Sequence, residues 1–326
     1  MMKQTAIRIL GPLVPDRIWN VMLKAMLQND DLLQRHGYRY LSQIASKLNI
    51  NRISARGDYG TFSSAPNDEI ILRDYAKNGK WAATTNDAIA RFFRDGNGTY
   101  IDIGANIGLT VVPIAATSNV KCFAFEPEPI NFENLKINIA ENCANNEIHV
   151  FQLAIFDRQS SMTFEMSPNN LGDHRIRLNG ASPGYLNEDE RRVIEVPCVR
   201  LDDLKLTIEG PLFVKIDTQG AEPFVIEGGK ETLARADALL VEWSPYLMNR
   251  MGGDGSTAIK FFRDNFTSGT IHHNPEAPLS ESEFQSIDLV CDVLGDSLVE
   301  WPANKYADVL ILRDALQLSS APGSAR

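Results

Sequence analysis

A glycine-containing turn near residue 104 is the first place where the sequence suggests chemistry. Asp102, Gly104, Asn106 and Gly108 alternate with other residues, directly after a short apolar run and before a stretch of helical character. Glycines permit a tight turn and leave room for a ligand against the backbone, and the free N–H groups of the following helix point to the same place. The turn is therefore a candidate site for a nucleotide-like cofactor.

Two acidic residues follow later apolar runs in the same way. Glu126 ends the second run about twenty residues after the glycine turn, where a carboxylate can accept hydrogen bonds from both hydroxyls of an unphosphorylated ribose. Asp217 ends a later run, just before a predicted helix that starts near Glu222. Because parallel strands end at one edge of a sheet, Gly104, Glu126 and Asp217 are predicted to converge on one pocket. Asp217 can equally be the N-cap of its helix.

His174, between Asp173 and Arg175, is a second candidate for acid–base chemistry. Histidine titrates near neutral pH and is a natural proton acceptor, and its loop-rich surroundings can reach the same sheet edge. His174 and Asp217 are therefore the candidate general bases. A loop residue that hydrogen-bonds only with its neighbours is the alternative interpretation of His174.

Alternating strand and helix patterns position these residues. Strands are predicted over 100–103, 120–125, 148–155, 212–216 and 238–243, and helices over 109–116, 131–142, 222–234 and 257–264. This alternation predicts an α/β fold, a parallel sheet with helices on both faces. Closing antiparallel strands are predicted over 270–273 and 307–312. The interval 160–199 is predicted to be a hairpin-and-loop insertion that is free to form a substrate pocket.

The first 95 residues carry no recognisable chemistry. Helices are predicted over 16–27, 41–48 and 86–94, and a loop over 51–67. The predicted organisation is an N-terminal helical cap or extension over 1–95, a Rossmann-like domain over 96–315 and a flexible tail over 316–326. The cap is expected to be either a lid or a dimer contact, and the second role would make the protein a homo-oligomer.

Composition restricts the class of partner. The chain of 326 residues has a formal net charge of −10, and an acidic surface repels a phosphate backbone, so no nucleic-acid partner is expected. The four cysteines are scattered, without the spacing of a zinc site or a disulfide framework. No apolar run approaches a membrane span or a secretory signal. We therefore expect a cytoplasmic protein that acts on a small molecule without a metal or a membrane.

Several motifs together resemble the FkbM family of methyltransferases. The resemblance lies in the glycine turn 102–108, Phe125-Glu126-Pro127, the run 132–138, Leu201-Asp202-Asp203-Leu204, the run 215–222 and Val241-Glu242. It covers residues 100–242 and leaves both ends of the chain outside. It implies a class I fold with a mostly parallel seven-stranded sheet, S-adenosylmethionine as cofactor, and O-methylation of a sugar or another small molecule.

The resemblance also implies roles for single residues. Gly104, Asn106 and Gly108 would hold the methionine part of the cofactor, and Asp102 belongs to the same set of cofactor-binding residues. Glu126 would hold the ribose, and Ala154 and Asp157 lie where the adenine is contacted. Asp217 would face the reacting methyl group or the substrate. Gln219 stands where many members have Glu, which puts an acid role for that position in doubt.

Two other classes of protein stay open at this point. An NAD-linked oxidoreductase would share the sheet, but the G-x-G-x-x-G pattern fails at Asn106 and Gly108, and a P-loop is absent. A module that binds the cofactor without catalysis is the second alternative. The set of Gly104, Glu126 and Asp217 argues against it, because packing alone does not require these residues.

Overall fold

The computed structural model describes residues 37–143, 148–168, 170–177, 191–273, 280 and 283–314. The chain divides into two units, residues 1–51 and 52–326. In the first unit the described helix is α1 (Tyr38–Lys47), where a helix over 41–48 is predicted. The predicted helix over 16–27 and the predicted tail over 316–326 lie outside the described residues.

The second unit carries all the strands described here. They are β1 (Ile53–Gly57), β2 (Gly60–Ser64), β3 (Thr99–Ile103), β4 (Lys121–Phe125), β5 (Ile148–Phe151), β6 (Ala154–Ile155), β7 (Ser160–Met166), β8 (Arg175–Ile176), β9 (Arg192–Val199), β10 (Leu212–Ile216), β11 (Ala238–Trp243), β12 (Ser268–His272), β13 (Gln285–Ser286) and β14 (Ala307–Leu312). Its helices are α2 (Ile71–Asn78), α3 (Ala83–Phe92), α4 (Val111–Thr117), α5 (Pro129–Asn142), α6 (Glu222–Gly228), α7 (Lys230–Leu233), α8 (Pro245–Arg250), α9 (Gly255–Asn265) and α10 (Ile287–Glu300).

The largest sheet has the strand order β13-β12-β14-β11-β10-β3-β4-β5. Strands β11, β10, β3, β4 and β5 pair in parallel, whereas β14 is antiparallel to both of its neighbours. The chain order reverses between β3 and β10, which is the switch point where doubly wound sheets bind ligands. This topology confirms the predicted α/β, Rossmann-like fold of class I methyltransferases. The two-residue strand β13 is an eighth strand beyond the predicted seven.

The two central strands explain why the sheet is buried on both faces. Every residue of β3 and β10 is buried, as continuous apolar runs in a parallel sheet predict. Ile101 and Val214 pack into the core on one face. Tyr100 and Phe213, their chain neighbours, pack into the core on the other face.

A second sheet follows the third strand of the main sheet, with the order β6-β9-β7-β8. Strands β7 and β9 are antiparallel and place Phe164 opposite Ile194. This antiparallel pair lies within the interval 160–199, where a hairpin-and-loop insertion is predicted. Residues 178–190 of the insertion lie outside the described residues.

The structure corrects three of the predicted elements. The predicted loop over 51–67 contains the hairpin β1–β2, because Gly60 adopts a φ of 116° that closes a two-residue turn. The predicted strand over 148–155 is split, and its end, β6, joins the second sheet instead. The predicted helix over 222–234 is divided at Gly229, which ends α6 and begins α7. Residues 52–95 belong to the second unit, and the predicted division into cap, domain and tail stays a prediction.

Asparagines on helix α5 hold the β1–β2 hairpin. Asn138 accepts a hydrogen bond from the Ser63 amide at 2.7 Å and donates to the Ser63 carbonyl at 3.1 Å. Asn142, one turn later, repeats the exchange with Thr61 at 2.9 and 2.7 Å. The two amide side chains therefore stand in for a neighbouring strand along the edge of β2, because they satisfy backbone groups that would otherwise be unpaired.

Asn138→Ala should lower the free energy of unfolding by about 2–4 kcal/mol, because it leaves several buried polar groups unpaired. Asn138 is fully buried and also donates to the Ile107 carbonyl at 2.8 Å. Asn142→Ala, at a partly exposed position with the same bonding pattern, is the matched control and should cost less. Urea unfolding of both variants measures the difference. Equal costs would contradict the assignment of Asn138 as the main anchor.

Candidate active site

A cavity of about 660 Å³ lies at the carboxyl ends of the central strands. The glycine turn after β3 and the residues that end β4, β10 and β11 line one side of it. Residues 170–174 of the insertion line another side. A volume of this size suits a drug-sized ligand and leaves room for a second small molecule.

A buried ion pair joins the two strands beneath this cavity. The Lys215 ammonium donates to Asp102 at 3.1 Å and to the Gly104 carbonyl at 3.3 Å, and it lies 3.6 Å from the Asp217 carboxylate. Burial alone would lower the pKa of Lys215, but the carboxylates of Asp102 and Asp217 outweigh it and raise the pKa. Asp102 also accepts from the Thr110 hydroxyl at 2.5 Å. Asp102 lies beneath the cavity and is not among the described residues that line the cavity.

Gly104 allows the turns after β3 and β10 to touch. It has a φ of 83°, and a Cβ at this position would lie 1.9 Å from the Asp217 carbonyl oxygen. Gly108 has a φ of 92°, and a Cβ there would lie 2.7 Å from Leu135 of helix α5. Gly104 lines the cavity, whereas Gly108 allows helix packing behind it. The two glycines thus satisfy different constraints within one motif.

Glu126 connects the glycine turn with the end of β4. Its two carboxylate oxygens accept from the backbone amides of Asn106 and Glu128, each at 2.8 Å. Burial raises the pKa of Glu126 to about 8. Each oxygen keeps a second acceptor position, so the carboxylate can bind a ligand hydroxyl while it holds the turn.

Asn106 attaches the insertion to the glycine turn. It has a φ of 51°, and its side-chain amide donates to the Leu171 carbonyl at 2.7 Å. Asn131, at the start of α5, donates to the same carbonyl at 3.0 Å. The side-chain amides of Asn106 and Asn131 therefore hold the loop 170–174, which lines this side of the cavity.

His174 lines the cavity from this loop, but its hydrogen bond does not suit a base. The Ser167 backbone amide donates to Nδ1 at 2.9 Å, so the neutral ring carries its proton on Nε2. Burial, together with the charge of Arg191, lowers the pKa of His174 to about 4. The role of His174 as proton acceptor stays a prediction. The hydrogen bond to Nδ1 argues against that role.

Asp217 lines the same cavity as Glu126 and lies beside two residues that the sequence analysis did not select as site residues. Gln219 donates to Asp217 at 3.0 Å and to Glu242, at the end of β11, at 2.6 Å. Asp308 on β14 lies directly opposite Glu242 in the strand register. Burial and the neighbouring carboxylates raise the pKa of Glu242 well above its ordinary value and that of Asp308 to about 6.

The predicted adenine contacts lie in different places. Ala154 lines the cavity. Asp157 pairs with Arg158 at 2.6 Å and is not among the described residues that line the cavity. The cavity wall beside Ala154 is apolar and includes Leu153, Ile155 and Phe125.

No group of three or more histidine, cysteine, aspartate or glutamate side chains in the described part of the chain is arranged to hold a metal ion. A search of the same residues finds no helix that is long and apolar enough to cross a membrane.

A Rossmann-like sheet with an acidic residue at the end of its second strand and a glycine turn at the switch point defines a nucleotide-cofactor domain. The sequence profile of the Methyltransferase FkbM domain matches residues 102–267. The match covers half of the chain, which therefore belongs to this family, and the predicted resemblance is confirmed.

Known proteins show more distant similarity. The 2-O-methyltransferase NoeI of Sinorhizobium fredii (strain NBRC 101917 / NGR234) is 29% identical over 159 residues, which cover 44% of this chain and 62% of NoeI. The chain thus matches less than two thirds of that relative. Magnesium protoporphyrin IX methyltransferase (ChlM) from Synechocystis PCC 6803 with bound SAM has a TM-score of 0.36 at 10% identity, over 72% of this chain and 79% of ChlM. TYW2 of P. horikoshii in complex with MeSAdo has a TM-score of 0.34 at 12% identity, over 96% and 100%. TM-scores this low carry no argument about function.

Lys215→Met should lower the free energy of unfolding by about 3–5 kcal/mol, because it leaves the buried Asp102 carboxylate without its cation. Lys121→Met removes a lysine from strand β4. The partner of Lys121, Glu209, is largely exposed, so this change should cost less than about 1 kcal/mol. Adding Asp102→Asn to Lys215→Met should recover part of the loss. Equal costs for the two lysine variants, measured by urea unfolding, would contradict the role of the ion pair.

The free energy of unfolding should fall as the pH rises from about 5 to about 8. Burial raises the pKa of Glu126 to about 8 and that of Glu222 to about 7, so the folded state holds protons that the unfolded state has released. Stability is therefore fully present below the unfolded pKa values and is lost as the pH rises through the folded ones.

Glu126→Gln should flatten this dependence between pH 6 and 7.5 by up to about 1.4 kcal/mol per pH unit, the contribution of one proton. Glu133→Gln, on the exposed face of helix α5, is the control and should keep the wild-type slope. An unchanged slope in Glu126→Gln would show that Glu126 does not hold a proton in the folded state.

Proposed function

We propose that this protein is an S-adenosylmethionine-dependent methyltransferase that methylates a hydroxyl oxygen of a small molecule or saccharide. The observation that carries the proposal is that Glu126, the glycine turn at Gly104 and Asp217 line one cavity at the switch point of the sheet. A cofactor held by its ribose at Glu126 can extend along the glycine turn towards Asp217.

The residues present fit this cofactor. Glu126 offers two acceptor positions to ribose hydroxyls beside an apolar wall that suits an adenine ring. Gly104 lines the cavity without a side chain, so the methionine part can pass close to the backbone of the turn. When bound, S-adenosylmethionine supplies an activated methyl group, so the protein mainly has to align the acceptor and remove its proton.

Carboxylates at the end of β10 and β11 are the proton acceptors that this chain offers. Asp217 is 36% exposed in its side chain and lines the cavity, so an acceptor hydroxyl can reach it. His174, with Nδ1 occupied, is better suited to shaping the insertion side of the cavity. Oxygen as the methylated atom is supported by the curated relative, which is named a 2-O-methyltransferase.

The alternatives receive less support. An NAD-linked oxidoreductase needs a third glycine in the fingerprint, and here a Cβ on Gly108 would lie 2.7 Å from Leu135 of helix α5. A module that binds cofactor without catalysis would have no use for the partly exposed carboxylates around Asp217. We also propose a cytoplasmic location, which the four free cysteines support. Whether the protein forms a homo-oligomer, and whether it avoids nucleic acid, stay predictions.

Transfer of a labelled methyl group from S-adenosylmethionine to neutral sugars and other polyhydroxylated acceptors tests the proposal. Asp217→Asn should lower kcat by about 100-fold or more, the usual contribution of a positioned base. Asp264→Asn, on the exposed face of α9, is the matched control and should keep the wild-type kcat.

Retention of at least a tenth of the wild-type kcat by Asp217→Asn would remove Asp217 from the reaction. Labelling of an acceptor nitrogen or carbon, with no labelled oxygen, would contradict O-methylation.

A further inference from the structure

We infer that Gln219 is a positioning residue that holds the carboxylates of Asp217 and Glu242 together, so that this pair takes the proton of the acceptor hydroxyl. The inference rests on the proposed methyl transfer, because it assigns the fate of the proton in that reaction. It also gives a function to Gln219.

The geometry of the Gln219 amide supports this role. One nitrogen, Nε2, donates to Asp217 Oδ1 at 3.0 Å and to Glu242 Oε2 at 2.6 Å. An amide nitrogen has two hydrogens, so both carboxylates are satisfied by one group. A glutamate of the same length would offer no hydrogen at neutral pH and would add a third negative charge.

The backbone around Gln219 is held in an unfavourable conformation. Gln219 has a φ of 57°, a left-handed value that costs energy for a residue other than glycine and that persists only where surrounding contacts impose it. The carboxylate of Glu222 fixes this turn, because it accepts from the amides of Thr218 and Gly220 at 2.8 and 2.9 Å. On the other side, a Cβ on Gly220 would lie 2.6 Å from the carbonyl oxygen of Leu247.

Charged groups on the neighbouring elements act on the Asp217–Glu242 pair. Lys215 on β10 is the cation, and Glu222 of α6 and Asp308 of β14 add negative charge. The Tyr306 hydroxyl lies near Glu242, and His272 on β12 lies opposite Asp308 in the strand register. Like charges opposite one another destabilise a sheet. A donor between Asp217 and Glu242 is therefore what keeps two carboxylates close at the cavity.

The consequence for the reaction is a defined path for one proton. The acceptor O–H bond breaks as the new O–C bond forms, the proton passes to a carboxylate oxygen of the pair, and the electrons of the broken C–S bond remain on sulfur. Two carboxylates bridged by a donor share that proton more readily than one alone. The amide of Gln219 opposes protonation of Glu242, because a hydrogen bond to the charged form of a carboxyl group favours that form.

Gln219→Gly tests the inference, because glycine adopts a positive φ without strain. At pH 6 we expect a Tm close to that of the wild type, because relief of the backbone strain offsets the lost hydrogen bonds, and a Kd for S-adenosylhomocysteine within about twofold. We expect kcat to fall by about tenfold or more, with the acid limb of its pH profile shifted upwards by about 0.5–1 unit. Gln219→Asn, which tolerates the same φ but is one methylene shorter, should behave similarly.

Lys205→Gly is the matched control, because Lys205 also has a left-handed φ, 47°, and lies on an exposed loop. It should keep the wild-type kcat and pH profile. A Gln219→Gly variant with an unchanged pH profile would overturn the inference. So would a parallel loss of Tm and kcat in Gln219→Gly and Gln219→Asn, since both would then reflect a merely structural role.

A ligand-free measurement separates this inference from the proposed function. Without its amide donor, Glu242 should stay protonated to higher pH in the folded state, so Gln219→Gly should lose more stability than the wild type between pH 6 and 9. This difference in stability should appear even if the protein methylates no acceptor. A lack of methylation would contradict the proposed function but not the positioning role. An unchanged pH dependence of unfolding would overturn the positioning role.

Discussion

The buried ion pair of Lys215 with Asp102 is the interaction on which the site depends. It joins the two central strands at the point where the chain order reverses, and its ammonium also binds the carbonyl of Gly104. Two charges inside an apolar sheet cost desolvation energy, so the pair specifies register better than it adds stability. With the register fixed, the glycine turn and Asp217 meet by direct backbone contact, and their side chains and amides face one cavity.

The same site collects acidic groups at a cost to stability. Glu126, Glu222, Glu242 and Asp308 are all held where burial or like charge opposes their ionisation. Three of them have a specific restraint: backbone amides hold Glu126 and Glu222, and the Gln219 amide holds Glu242. Groups with displaced pKa values cluster at functional sites because chemistry requires them there. The arrangement is that of a cofactor pocket with an acidic acceptor end.

Sequence reasoning predicted the parts of this structure that follow from local pattern. The strands β3, β4 and β10 read as largely apolar runs, and the residues that follow them identified Gly104, Glu126 and Asp217. Contacts between segments that lie far apart in the chain could not be predicted from local pattern. Nothing near Asn138 signals that it replaces a strand partner for β2.

Residues beside the predicted ones show the same limit. Lys215 sits inside a run that reads as a buried strand, where a lysine without a visible partner could have signalled an ion pair with Asp102. Glu242 was part of the family resemblance, but only the parallel register of β10 and β11 brings it to Asp217. His174 was selected by residue type, whereas its role depends on which ring nitrogen the Ser167 amide occupies.

Calorimetric titration with S-adenosylhomocysteine and, separately, with NAD tests the central claim most directly. We expect micromolar binding of S-adenosylhomocysteine, a loss of that binding in Glu126→Ala, and no binding of NAD. Binding of NAD alone, or binding of S-adenosylhomocysteine that Glu126→Ala leaves unchanged, would contradict the assignment of this cavity as the site of the methyl donor.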